Sequence, residues 1–295
     1  MRPPEPVSGM SRHPHHPKGR LGIMPWVLFA LAALMVPVSA QNLAQTPESK
    51  PTQRDVTVAL VLAVDTSGSV SNGRFELQKQ GYAAAFRNPQ VLNSIRSLAT
   101  QAIAVTMMQW TGPRLHVVVV DWTLINEKTS ADAFAAAIEA APRQLFGGGT
   151  SISGAIDYSR VLLAGSPFRA TRRVIDISGD GSNNSGRPVT NARDEAVADG
   201  VGINGLPILT VEPGLDRYYY DNVIGGPGAF MIPAENYDTF ADAILKKLIN
   251  EIASAGPGAD DSFATAAALQ GKPSLRENFA TPVAAKLPIP MFAGP

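Results

Sequence analysis

Hydrophobic and polar positions alternate between two rhythms over residues 55–253 of this 295-residue chain. Short apolar runs rich in β-branched residues end in polar, glycine-bearing loops. Between them lie longer segments whose apolar residues recur every three or four positions. The first run, 58–64 (VALVLAV), is apolar at every position, which predicts a central strand buried on both faces. Runs at 103–110, 115–124, 172–178 and 201–206 predict four more strands, and 229–232 a short sixth. Helical spacing joins Phe75, Leu77, Tyr82, Ala85 and Phe86, with Ser71 or Asn72 as the N-cap. Further helices are expected at 91–98, 130–141, 152–163, 189–199 (closed by Gly200), 215–222 and 237–253. Only residues 111–114 separate the second and third strands. A parallel crossover needs a dozen residues or so, which makes this pair an antiparallel hairpin. The expected fold is α/β: a Rossmann-like open sheet of about six strands, mostly parallel with one antiparallel edge strand, and helices on both faces. Asp176 interrupts the apolar run of the fourth strand, where a helix cap or a water would accommodate it.

Chemistry concentrates where the strands end. In open α/β sheets the ligand crevice lies beyond the carboxyl ends of the strands. The first strand stops at Asp65, followed by Ser67 and Ser69. The loop Gly147, Gly148, Gly149 places Thr150 just before a helix. The fourth strand ends in Gly179, Asp180 and Gly181. The side chains of Asp65, Ser67, Ser69, Thr150 and Asp180 are all oxygen donors, the type that hard cations prefer. Ordinary turn and capping roles account for such residues singly. Asn183 and Asn184 lie close enough in sequence to shape the same site. No Lys followed by Ser or Thr comes after the triple glycine, which argues against a phosphate-binding P-loop.

This D-x-S-x-S, Thr and Asp series resembles the metal-ion-dependent adhesion site of von Willebrand factor type A domains. Asp65, Ser67, Ser69, Thr150 and Asp180 match that family's five metal positions in order, spacing and flanking glycines, and the resemblance spans 55–253. It implies a divalent cation, Mg²⁺ or Mn²⁺, and a protein partner that supplies an acidic residue to the metal. The stretches 204–207 and 221–230 resemble a bacterial family of uncharacterised exported proteins with a type A-like fold.

Composition narrows the alternatives. Lys plus Arg and Asp plus Glu both number 25, so the formal net charge is zero and no general electrostatic case exists for nucleic-acid or membrane binding. Cysteine is absent, which excludes disulfides, thiol catalysis and Cys-ligated zinc. A basic segment, an apolar stretch at 26–36 and the small residues Val38, Ser39 and Ala40 follow the order of a secretory signal peptide over 1–40. An uncleaved anchor is the other reading of that segment. His13, His15 and His16 lie upstream of the expected cleavage. Residues 41–54 then form a linker, and 254–295, rich in Gly, Pro and Ala, a disordered tail. The expected protein is a periplasmic or secreted binding module and not an enzyme. A metal-assisted hydrolase and a scaffold with a structural metal are the rivals. A hydrolase needs a base or nucleophile beside the metal, and the chain has no G-x-S-x-G motif. His116 is expected to be structural.

Overall fold

A computed structural model of the chain describes residues 53–256. The expected signal peptide, nearly all of the linker and the tail beyond 256 lie outside the described residues. Five strands form one sheet: β1 (Arg54–Asp65), β2 (Ile103–Trp110), β3 (His116–Ile125), β4 (Phe168–Gly179) and β5 (Val201–Pro207). Their spatial order is β3-β2-β1-β4-β5. Every pairing is parallel except β2 with β3, the antiparallel edge that the short connection demands. β1 is the central strand, and all ten of its residues from Val56 to Asp65 are buried.

Because successive side chains of a strand point to opposite faces, β1 serves two cores at once. Val58, Leu60, Leu62 and Val64 pack with Tyr82 and Phe86 of α1 (Asn72–Arg87) and with Phe240, Ile244 and Leu248 of α7 (Phe240–Ala253). Ala59, Val61 and Ala63 pack with Ile152 and Ile156 of α4 (Ile152–Ala164) and Ala192 and Ala196 of α5 (Val189–Ala198). Each fully buried Val or Leu contributes about 1.5–3 kcal/mol relative to exposure, so this double-sided strand is the main hydrophobic anchor of the domain. The remaining helices are α2 (Pro89–Arg96), α3 (Lys128–Ala140) and α6 (Leu215–Tyr218), the last continued by a π-helical turn, Tyr219–Val223. Of its three tyrosines, Tyr219 is buried, Tyr218 half-buried and Tyr220 exposed.

Local chemistry sets the helix starts. Ser71 caps α1, its Oγ accepting from Arg74 N at 3.3 Å. α7 starts at Phe240, three residues later than expected. Asn236 Oδ1 accepts from Asp238 N at 2.9 Å and Thr239 N at 3.0 Å, and holds those residues in a side-chain turn.

The sheet has five strands, not six. The segment expected as the last strand lies beside β5, but only as isolated bridges from Gly205 to Met231 and from Ile208 to Ala234. Hydrogen bonds Gly205 N to Phe230 O (3.1 Å), Ile232 N to Gly205 O (3.1 Å) and Ala234 N to Pro207 O (2.9 Å) follow a parallel ladder. Pro207 has no N–H to donate to that neighbour, so the ladder breaks at its centre.

Asp176 faces a lysine of α7. It is buried, and Lys247 Nζ of α7 lies 2.7 Å from its Oδ1, an ion-pair contact whose angles fall short of a hydrogen bond. The pair belongs to a charge-balanced cluster. Glu251 Oε1 is 3.1 Å from Arg172 Nη2, Glu251 Oε2 accepts from Asn204 Nδ2, and Asn204 Oδ1 accepts from Phe230 N at 2.8 Å.

α1 and α7 touch at Gly81. A Cβ there would stand 2.7 Å from Phe240 Cδ1 and 3.2 Å from the Ala241 Cα. Alanine improves a helix by about 0.5–1 kcal/mol over glycine, whereas overpacking a core costs about 1–3 kcal/mol. Overpacking wins, so Gly81→Ala should lower the denaturant midpoint without changing the slope of the transition.

Candidate metal centre

Three loops converge at the carboxyl end of the sheet. The first follows β1. Asp65 Oδ1 accepts from Ser67 N at 2.7 Å, and Thr66 is pinned to β2 by Thr66 N and Oγ1 donating to Trp110 O at 2.9 and 3.1 Å. This side-chain turn aims Ser67 and Ser69 back over the strand end. The second loop precedes α4. Gly147 and Gly148 have φ of +71° and +86°, the left-handed region that favours glycine. A Cβ on Gly148 would also lie 2.7 Å from Thr111 Oγ1. That hydroxyl donates to Gly147 O at 2.5 Å and Gly149 O at 3.0 Å, fastening the loop to the β2–β3 turn. The third loop follows β4 and carries Asp180. Asn184 clamps the second loop to it: Thr150 N donates to Asn184 Oδ1 at 2.8 Å, and Asn184 N to Thr150 O at 2.9 Å. Asn183 Oδ1 accepts from Ser153 N at 2.9 Å in the first turn of α4.

The structure thus brings Asp65, Ser67, Ser69, Thr150 and Asp180 together. Thr150 Oγ1 lies 3.5 Å from Ser67 Oγ, Ser67 Oγ lies 3.2 Å from Ser69 Oγ, and Ser69 Oγ donates to Asp180 Oδ1 at 2.5 Å. All but Ser69, which is half-buried, are buried.

Asp65 Oδ2 is buried and has no hydrogen-bond partner. Burial pushes the Asp65 carboxyl up to about 7; the Ser67 N–H pulls against that shift and the Asp180 charge adds to it. The Asp180 backbone N–H also favours the ionised carboxyl. The buried Tyr219 hydroxyl is likewise unpartnered, and both groups lie 3.0 Å from where a Cβ on Gly179 would stand, so glycine is what leaves them room. A buried carboxylate with a free oxygen, a second carboxylate and three hydroxyls fit a hard divalent cation. Among the described residues no three His, Asp or Glu side chains converge, so any such site depends on the hydroxyls.

Other residues of the site gave no signal in the sequence. Tyr237 OH donates to Asp180 Oδ2 at 2.9 Å, and the Arg74 guanidinium stands 3.6 Å from the same oxygen while donating to Ser69 O at 2.8 Å. Arg143 braces the first loop through Thr66 O at 2.9 Å and Asn72 Oδ1 at 3.0 Å. None of these lies in a periodic or spaced motif; each reaches the site only through the fold. His116 stacks on Tyr158, ring centroids 4.0 Å apart.

The model of one protein family, described as "Protein of unknown function (DUF1194)", matches residues 55–256. The chain belongs to this family. No curated protein matches this DUF1194 chain. Among solved structures, proximal thread matrix protein 1 (PTMP1) from the mussel byssus, in a form with a zinc-occupied MIDAS motif, is 15% identical with a TM-score of 0.52. The match covers 68% of this chain and 49% of that one. A second form of the mussel protein gives 14% identity and a TM-score of 0.51, covering 68% and 48%. A von Willebrand factor type A protein from Catenulispora acidiphila is 15% identical with a TM-score of 0.48, covering 68% and 43%. The DUF1194 chain therefore spans about half the length, or less, of these structures. At such identity the likeness is one of fold. The DUF1194 chain has a von Willebrand factor type A-like fold, with the mostly parallel sheet and single antiparallel edge strand that the resemblance implies.

Proposed function

We propose that this DUF1194 protein is an exported, metal-dependent protein-binding module and not an enzyme. Asp65, Ser67, Ser69, Thr150 and Asp180 hold one divalent cation, Mg²⁺ or Mn²⁺, and an acidic side chain of a protein partner completes the coordination. The observation that carries this reading is the unpartnered buried oxygen of Asp65 beside Asp180 and three hydroxyls. With two carboxylates and weakly donating hydroxyls, the bound ion keeps electrophilic character and takes a further anionic oxygen. The zinc-occupied MIDAS motif of the mussel protein supports use of a divalent ion on this fold. The one imidazole among the described residues, His116, is stacked on Tyr158. Export rests on the signal-peptide pattern of residues 1–40. Among the described residues no helix is long and apolar enough to cross a membrane.

The test uses the exported chain, whose intact mass should begin at Gln41. Calorimetry should show one Mg²⁺ or Mn²⁺ per chain, bound weakly. Immobilised on resin, the protein should capture a partner from periplasmic extract in Mg²⁺ and release it in chelator. Esterification of the partner's carboxylates should abolish capture. Absence of metal binding in calorimetry would overturn the reading.

A further inference from the structure

Few large apolar side chains are exposed among the described residues, and three of them stand around the candidate metal centre. Phe146 is 66% exposed, Leu115 48% and Val211 47%. They come from three separate connections at the carboxyl end of the sheet: the loop before Thr150, the β2–β3 turn and the segment after β5.

Their placement is built. Gly147, next to Phe146, puts its Cα 3.9 Å from where a Cβ on Gly68 would stand, so this loop lies on the D-x-S-x-S loop. The Arg143 guanidinium sits 4.9 Å from the Phe146 ring centroid and donates to Thr66 O at 2.9 Å. One guanidinium therefore links the exposed ring to the loop that carries Ser67. Leu115 Cδ1 lies 3.7 Å from the Cβ position of Gly148. On the other side, Glu212 beside Val211 accepts from Ser182 N at 2.7 Å and lies near Gly181, whose Cβ position is 3.5 Å from Thr150 Oγ1. Exposed apolar residues thus stand on connections that meet at the five oxygen donors from more than one side.

Exposing a phenylalanine ring forgoes roughly 1.5–3 kcal/mol of burial, which a partner covering it would recover. Beside the one carboxylate of Glu212, three arginines line this rim and favour an acidic occupant. Arg74 stands beside Asp180, Arg143 beneath Phe146 and Arg114 exposed in the β2–β3 turn. Aromatic residues and arginine are also the types that anchor protein interfaces.

We infer that Phe146, Leu115 and Val211 are specificity determinants, which select an acidic protein segment carrying a Leu, Ile, Met or Phe within a few residues of its carboxylate. The inference rests on the metal-dependent reading above: the ion takes the carboxylate, and the apolar residues take its neighbours. Carboxylate recognition alone would accept any exposed Asp or Glu, whereas the apolar residues discriminate among them.

A phage-displayed random peptide library, selected on the full chain in Mg²⁺ and eluted with chelator, tests this. Selected peptides should combine an acidic residue with a large apolar one nearby. Phe146→Ser, a change at an exposed ring, should leave Mg²⁺ affinity by calorimetry unchanged. It should weaken the best peptide about tenfold, and weaken far less a version of that peptide with its apolar residue replaced by glycine. Peptides with an acid but no apolar preference would overturn the inference. So would an apolar preference that survives Phe146→Ser, or a selection that yields nothing while calorimetry shows bound Mg²⁺. Binding to phosphatidylglycerol vesicles in place of peptides, lost in Phe146→Ser, would replace the protein partner with a membrane. Absence of Mg²⁺ binding by the unaltered chain would bring down the metal reading itself, a separate result.

Discussion

Lys247→Met should lower the unfolding free energy by about 3–5 kcal/mol, the range for removing one member of a buried ion pair. Lys247, Asp176 and Glu251 are all fully buried between α7 and the sheet. Methionine fills nearly the same volume, so the loss is electrostatic rather than a cavity. It leaves two buried carboxylates with only Arg172 to balance them. Asp176→Leu with Lys247→Met removes both charges and should recover most of the deficit, because Glu251 keeps Arg172 and Asn204. The sign of the pH dependence follows from Asp176. Burial already raises its pKa, and Lys247 is the chief group pulling it back down. Without Lys247 the folded-state pKa rises further above the unfolded value. An acid so raised destabilises the fold when ionised, and the penalty fades as pH falls through the folded pKa toward the unfolded one. The deficit of Lys247→Met should therefore be larger at pH 8 than at pH 4. Urea titrations of the two variants and the parent at both pH values measure this. A deficit below about 1 kcal/mol, or one independent of pH, would show that the cluster is solvated.

The same cluster shows where a single chain stops being legible. Lys247 follows Ile244 by three positions and Glu251 follows Leu248 by three, so helical spacing alone places both on the buried stripe of α7. Their charge argues for the opposite face, and only the distant Asp176 decides between the two. By itself, Asp176 is an anomaly in a strand. What the sequence makes plain is whatever depends on period or on a short connection. Residues 58–64 of β1 are apolar at every position because both faces of the strand are covered, and residues 111–114 cannot span a parallel crossover. Two of the three loops of the candidate centre are legible for the same reason, as polar interruptions at the end of an apolar run, and the third through its triple glycine just before a helix. Tyr237, Arg74 and Arg143 are not, because they reach the loops from helix and loop positions whose neighbours in sequence carry no common pattern. The sixth strand fails on one atom: its spacing is right, but Pro207 has no N–H to complete the ladder.

Asp65→Asn should reduce Mg²⁺ and Mn²⁺ affinity at least about 100-fold, roughly 2.8 kcal/mol at 1.4 kcal/mol per factor of ten. Asparagine preserves the shape of the side chain and an oxygen to accept the Ser67 N–H. What disappears is one of two negative charges and the free oxygen Oδ2. Ser67→Ala removes only a neutral, weakly donating hydroxyl and should weaken binding less. The apo protein should respond in the opposite direction. Burial, with the charge of Asp180, raises Asp65 from an ordinary aspartate's 3.8 to about 7 in the fold. A group raised in this way destabilises the apo fold once it is ionised, above pH 7, and the penalty is absent below about pH 4. At pH 8 in chelator, Asp65→Asn should therefore melt at or above the parent temperature, although it cannot take up the ion. Adding Mg²⁺ should raise the melting temperature of the parent and leave the variant unmoved, because only a ligand that binds the folded state shifts its stability. A variant that binds the cation as tightly as the parent would reduce Asp65 to a turn residue. A variant that unfolds in chelator would show that the carboxylate supports the loop through the Ser67 turn rather than through a metal.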